Sequence, residues 1–187
     1  MVLIESDSEL SVGDEAPDFE LPAAGGGTHS LSDFDGYDAL LVVFTCNHCP
    51  YAEAKVDELN HLVKAYDDLA VVGINPNDAE AYPDDSFERM EERVDAGEVG
   101  YTAYLRDESQ DVARSYGAVC TPDPFLFERD GGAFRLALHS RLDDAMSPDE
   151  APTRHEMREA VEALLAGEAI PVEPTASRGC SIKWKDE

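Results

Sequence analysis

Lysine is almost missing from this chain: Lys55, Lys64, Lys183 and Lys185 are its only four among 187 residues. Lysine and arginine together number 14 against 41 acidic residues, a formal net charge of -27. That balance excludes the basic footprint by which proteins hold nucleic acid, so no nucleic-acid partner is expected. No apolar run approaches the ~20 residues of a membrane-spanning helix, and the first residues have neither the basic region nor the apolar core of a secretory signal. The expected setting is cytoplasmic, with no membrane partner. A Gly-x-Gly-x-x-Gly fingerprint is also missing, so no bound organic cofactor is expected. Cysteine is sparse, at Cys46, Cys49, Cys120 and Cys180. In a reducing compartment such a set points to catalytic, redox or metal-binding thiols before structural staples.

What remains is enough for a folded core. Hydrophobic residues make up 43% of the chain, in runs with clear period, so the charge reads as an acid-coated surface and not as disorder. The acids are spread over helix faces and turns. With lysine so scarce, this pattern fits the very high ionic strength of an extreme halophile, where screening reaches only ~3 Å at 1 M salt. Low salt is expected to destabilise the protein by self-repulsion. The length suits one domain over 1–187, with an N-terminal arm at 1–15 and a C-terminal tail at 171–187.

Strand and helix signals alternate along the chain. Residues 38–44 read as a strand buried on both faces, and a helix follows from 50 to about 67, with Val56, Leu59, Val63 and Tyr66 on one side. A second buried strand at 69–76 stops at an Asn-Pro turn. After a long acidic loop, Ser86 caps a helix that Gly97 ends. A third strand at 101–105 leads to an Asp107/Gln110 capping box and a helix closing at Gly117. Residues 125–138 read as a hairpin around Asp130-Gly131-Gly132. The sheet is therefore mixed. A last helix is expected from Thr153, with Glu156 three residues on, to Gly167. The tail has no period, although Ile182 and Trp184 alternate with Lys183 and Lys185, as in a segment anchored back on the core.

The chemistry concentrates at Cys46-Asn47-His48-Cys49-Pro50, where an apolar strand runs into a helix. A helix N-terminus favours thiolate over thiol and lowers a cysteine pKa from ~8.5 toward ~3.5–7.5. Pro50 belongs in the first helical turn, which makes Cys49 the natural N-cap. Either sulfur could be the attacking one. Cys-x-x-Cys is also a zinc spacing, but the strand-to-helix context favours redox use. His48, between the cysteines, would favour thiolate if protonated.

The β-α-β order, the hairpin and the last helix, with Cys-x-x-Cys after a central strand, resemble the thioredoxin-like α/β fold: a mixed central sheet flanked by helices, here with an N-terminal extension and an ordered C-terminal tail. Ala16-Pro17-Asp18-Phe19-Glu20-Leu21-Pro22 with Leu31-Ser32-Asp33-Phe34 resembles the start of alkyl hydroperoxide reductase/thiol-specific antioxidant (AhpC/TSA) redoxin domains. Phe44 to Tyr51, Thr121 to Phe127 and Gly179 to Lys185 together are similar to peroxiredoxin-like members of the thioredoxin family.

The resemblance implies a thiol-dependent oxidoreductase, a disulfide reductase or a peroxidase, with Thr45, Cys46, Cys49, Thr121 and Pro122 at its site. It implies a cis Thr121–Pro122 bond facing the cysteines, with a backbone edge left free to pair with a substrate segment. Cys49-Pro50 resembles a peroxidatic Cys-Pro pair, Thr45 is displaced from its place in the peroxiredoxin pattern, and Cys46 would close a Cys46–Cys49 disulfide. The expected partners are a protein disulfide or a peroxide as substrate, and a thioredoxin-type or low-molecular-weight thiol as reductant. Auxiliary candidates are Cys120, as a third redox thiol or a small loop hydrophobe; Cys180, as a resolving or a structural cysteine; and Arg141, as an orienting or a solvated arginine. Sco-type copper chaperones offer an alternative resemblance, in which Cys46, Cys49 and either His48 or His139 would hold copper; that family spaces its cysteines one residue further apart.

Overall fold

In the computed structural model, which describes residues 2–186, the chain runs through ten strands and five α-helices. A short arm strand, β1 (Leu3–Glu5), precedes the hairpin β2 (Glu20–Pro22) and β3 (Thr28–Ser30) and then the central strand β4 (Ala39–Phe44). Helices α1 (Pro50–Glu53) and α2 (Val56–Ala65) lead to β5 (Leu69–Asn75), α3 (Phe87–Asp95), β6 (Ala103–Arg106) and α4 (Asp111–Tyr116). The chain ends with β7 (Cys120–Thr121), the hairpin β8 (Asp123–Asp130) and β9 (Ala133–His139), α5 (Glu156–Leu165) and β10 (Arg178–Ser181).

The main sheet has the order β6-β5-β4-β8-β9, parallel across β4, β5 and β6 and antiparallel from β4 to β8 and β9. Every residue of β4 is fully buried, and its side chains alternate between two cores. Leu40, Val42 and Phe44 face Ile74, Leu105, Tyr116 and Phe125; Leu41 and Val43 face Leu59, Leu62, Leu126, Met157 and Val161. A strand covered on both faces has no polar side, which is why its sequence is apolar without alternation. Each fully buried Leu or Val is worth about 1.5–3 kcal/mol, so this strand is the firm base for the site at its C-terminal end.

Local readings hold in part. Ser86 caps α3 by accepting from Arg89 N–H at 3.3 Å, and Gly117 ends α4 at φ +67. The expected helix at 50–67 is broken at Ala54-Lys55, where the Lys55 ammonium is held by Asp143 at 2.6 Å and by the Ala145 carbonyl. The last helix starts at Glu156, not Thr153, because Thr153 spends its N–H and hydroxyl on Asp144. The expected Asp107/Gln110 box does not form: the N-cap of α4 is Gln110, at a left-handed φ of +68 and without a side-chain cap bond of its own, and Asp107 three residues earlier accepts from Ala113 N–H at 2.8 Å. The aperiodic tail becomes β10, with Ile182 in the core and the Arg114 guanidinium 4.3 Å over Trp184. Among the described residues, no helix is long and apolar enough to cross a membrane.

Candidate active site

Strand β4 delivers Thr45 and Cys46 to the rim of the sheet, and the following turn brings Cys49 to the N-cap of α1 with Pro50 in its first turn. Opposite lies β7 with the Thr121–Pro122 peptide bond in cis. The Cys46 sulfur is 3.3 Å from the Thr121 hydroxyl, and the Cys49 sulfur is 3.6 Å from the Thr121 carbonyl. Four of the five central candidates, Cys46, Cys49, Thr121 and Pro122, thus meet at one point. Thr45 lies buried beside them, its N–H on the Ile74 carbonyl.

The pairing of the sulfurs differs from the expectation. Cys49 is bonded to Cys180, with Cα atoms 6.4 Å apart and 131 residues between them, while Cys46 and Cys120 are free thiols. Cys46 is therefore not the partner of Cys49 in this structure. The cause lies in the tail: β10 runs antiparallel to β7 with Cys180 opposite Thr121, which carries its side chain onto the Cys49 side. The edge expected to be free beside the cis bond is filled by β10.

The electrostatics of Cys46 also correct the low-pKa picture. Burial, and then the charge of Asp85, push its pKa up to about 12, against the Thr121 hydroxyl and the backbone N–H groups of Cys49 and His48, which favour thiolate. Helix α1 has only one turn, so few aligned peptides act on either sulfur. In the oxidised protein Cys46 is a protected thiol.

Asp85, which sequence reasoning passed over, organises the other side of the site. Its fully buried carboxylate accepts from Asn47 N–H at 2.6 Å, Asn75 at 3.2 Å, Asn77 at 2.9 Å and the His48 Nδ1–H. Burial alone would raise its pKa, but the hydrogen bonds from His48, Asn47 and Asn77 outweigh it and hold the group ionised below the usual carboxylate range. The His48 ring stacks on Tyr82 at 5.1 Å. Among the described residues Cys46, His48 and Asp85 form the one cluster of three metal-type ligands, their donor atoms within 4.8 Å of one another. The ligand set of the copper reading is not assembled, since Cys49 is spent in a disulfide and His139 is bonded to Asp123 at 2.6 Å.

The other auxiliary candidates lie outside this cluster. Cys120 is adjacent in sequence but is not part of the apolar group formed by Cys46, Cys49, Ala52 and Cys180; consecutive strand residues face opposite ways. Burial, and then the charge of Asp123, raise its pKa. Arg141 is engaged elsewhere, in a two-pronged ion pair with Glu156 at 2.6 and 3.0 Å, and so is neither a solvated nor a sulfur-orienting arginine.

Comparison with known proteins agrees with the geometry. The model of the AhpC/TSA family matches residues 12–133. A hypothetical protein from Sinorhizobium meliloti 1021 has a similar structure, with a TM-score of 0.89, 40% identity and coverage of 98% of this chain and 99% of its own. An uncharacterized conserved protein from Geobacillus kaustophilus gives 0.91, 37%, 100% and 98%. A putative thiol:disulfide interchange protein DsbE from Chlorobium tepidum, at 24% identity and a TM-score of 0.59 over 85% of this chain and 98% of its own, shares the fold. No curated protein matches the chain by sequence. The fold is thioredoxin-like.

Proposed function

The chain belongs to the AhpC/TSA family, and from that premise we propose that it is a thiol–disulfide oxidoreductase whose working bond joins Cys49 and Cys180, with Cys46 beside them as a third thiol. Membership carries a thiol-dependent redox role. The observation that carries the finer reading is the Cys49–Cys180 disulfide packed against the Cys46 thiol and the cis-proline loop.

In the reduced protein, Cys49 thiolate attacks one sulfur of a substrate disulfide, and the other sulfur leaves as a thiolate. Cys180 thiolate then attacks the Cys49 sulfur, forms Cys49–Cys180 and expels the second substrate thiolate. Two electrons pass from the two cysteines to the substrate, and an external thiol reductant restores them. Cys46 attack on Cys49 would expel Cys180 and leave a Cys46–Cys49 bond at the same oxidation level, which keeps the Cys-x-x-Cys pair in the cycle as a relay.

A peroxide-consuming reading has its own support in the family and in Cys49-Pro50. There Cys49 thiolate attacks one peroxide oxygen, the O–O bond breaks, and the leaving oxygen takes a proton as alcohol or water. The Cys180 thiol then displaces water from the resulting sulfenic acid.

Peptide mapping after oxidation by hydrogen peroxide or a small disulfide, in wild type and the Cys46→Ser, Cys49→Ser and Cys180→Ser variants, tests this. The expected product is Cys49–Cys180, with turnover lost in Cys49→Ser and Cys180→Ser. A map showing only Cys46–Cys49, with full turnover in Cys180→Ser, returns the function to the Cys-x-x-Cys pair.

A further inference from the structure

The edge beside the cis bond of Thr121–Pro122 is where an extended protein segment would add as a strand and bring its cysteine to the sulfurs. In this chain β10 occupies that edge, with Cys180 opposite Thr121 and Ser181 opposite Cys120, and its far edge is covered in turn by β1. Building on the redox reading above, we infer that β10 is a permanent plug, and that both the substrate and the reductant of this site are small molecules, a low-molecular-weight disulfide or peroxide and a low-molecular-weight thiol, and not proteins.

Three observations carry this. The first is that the plug is fastened on both sides of Cys180 by bonds that do not depend on the disulfide. Before it, the Ser177 hydroxyl donates to the Pro122 carbonyl at 2.6 Å, the Ser177 carbonyl accepts from Ser6 N–H at 2.8 Å, and Ser177 N–H donates to the Ser6 hydroxyl at 2.9 Å. After it, Ile182 is fully buried with its N–H on the Val119 carbonyl, Lys183 N–H donates to Asn77 at 2.9 Å, and the Lys183 carbonyl accepts from Gln110 at 2.8 Å. Reduction removes one link among many.

The second is the closeness of the strands. A Cβ on Gly179 would stand 1.9 Å from the Thr121 carbonyl oxygen, so β10 sits as near to β7 as a backbone without side chain allows, and no second strand fits between them. The third is access. Cys46, Cys49 and Cys180 are 2, 0 and 1% exposed. Thiol–disulfide exchange needs the attacking sulfur in direct contact with the sulfur it attacks, with the leaving sulfur in line behind. A protein disulfide would have to be drawn wholly inside, whereas a few-atom oxidant enters through local opening.

The chemistry is that of the proposed cycle: the small oxidant takes two electrons from Cys49 and Cys180, which become the disulfide, and two equivalents of small thiol give them back and end as their own disulfide. The test is made on the full chain. Hydrogen exchange at residues 178–182 is compared in the oxidised and reduced forms. The reduced form is then offered hydrogen peroxide, hydroxyethyl disulfide and insulin, with dithiothreitol or a thioredoxin as reductant.

The expected result is protection that changes by less than about tenfold on reduction, oxidation by at least one small oxidant, little turnover of insulin and no acceleration by thioredoxin. Gly179→Ala, which forces β10 away from β7, is expected to gain insulin turnover. The inference is overturned by loss of protection on reduction, or by wild-type insulin turnover within about tenfold of the small disulfide, a difference of ~1.4 kcal/mol. If no oxidant of any size forms Cys49–Cys180, the redox reading fails, and this inference with it.

Discussion

Two histidine–aspartate pairs stand in this protein under nearly the same conditions and behave in opposite ways. Asp85 and Asp123 are both fully buried, their partners His48 and His139 are 16% and 17% exposed, and each imidazole stacks on an aromatic ring, Tyr82 or Phe125. Yet the Asp85 carboxyl is held below its ordinary pKa and the Asp123 carboxyl above it. Burial raises both. The difference is in the donors: Asp85 has three besides its histidine, from Asn47, Asn75 and Asn77, whereas Asp123 Oδ2 has no partner among the described residues. A single histidine partner does not offset the desolvation of a carboxylate; a full set of hydrogen bonds does. The carboxylate with its hydrogen bonds satisfied is the one beside the sulfur cluster.

The largest effect expected from this contrast is on stability. Asp85→Asn sets an amide against four donors, whichever way it is turned, and is expected to cost about 3–5 kcal/mol, as other broken buried networks do. Asp123→Asn keeps an acceptor for His139 and removes a poorly satisfied charge, so its cost should stay within about 1 kcal/mol of zero. Denaturant midpoints of the two variants against wild type measure both. Equal losses would mean that burial, not donor number, governs the two sites.

The pH dependence separates them next, with opposite signs. A carboxyl depressed in the native state, as at Asp85, adds stability that is full above its unfolded value of ~3.8 and disappears as the pH falls through the lower native value. At Asp123 the native state holds the proton more tightly, so stability falls as the pH rises from ~3.8 through the raised native value. The gap between wild type and Asp85→Asn should therefore close on acidification. Any advantage of Asp123→Asn should appear only as the pH rises. Urea unfolding at a series of pH values from about 3 to 7 reads both trends, and parallel curves would remove the proposed difference.

A smaller, chemical effect follows from where the charges sit. After burial, the charge of Asp85 is the next cause of the high Cys46 pKa, and that of Asp123 the next cause at Cys120. Neutralising either aspartate should lower the pKa of its own cysteine and leave the other unmoved. A drop of one unit gives about tenfold more thiolate at a given pH. Thiolate absorbance titration of the oxidised protein, in which these are the two free thiols, detects it. A change at both cysteines in both variants would point to a general loosening.

These residues also mark how far the fold and site could be read from sequence. The rigid parts were legible in two ways: proline and apolar patterning act locally, so Pro50 placed Cys49 at the N-cap and the unbroken apolar run at 39–44 announced a strand covered on both faces, while the cis bond at Thr121–Pro122 followed from the resemblance to the thioredoxin-like fold. The partner of Cys49 was legible only as one of the two roles open to Cys180, since 131 residues separate the pair and sequence distance says nothing of proximity. Asp85 was one acid among 41 in an acidic loop. Its only signal was the pair Asn75 and Asn77 around Pro76 at the end of a buried strand, two amides that need an acceptor once buried.

Salt provides the finest test of the comparison, because it acts on the surface and hardly on buried pairs. With a net charge of -27, self-repulsion should make the whole protein less stable at low ionic strength, and we propose that the surface is adapted to high salt. At ~2 M salt the screening length is a few ångströms, so repulsion between exposed carboxylates falls away while interactions inside the fold are screened much less. The thermal midpoint of wild type should rise steeply with salt. The spacing between wild type, Asp85→Asn and Asp123→Asn should stay fixed to within about 0.5 kcal/mol, the usual limit of additivity for independent effects. If instead the cost of Asp85→Asn shrinks as salt is added, then ions or water reach Asp85, and its hydrogen bonds are not the closed set that distinguishes it from Asp123.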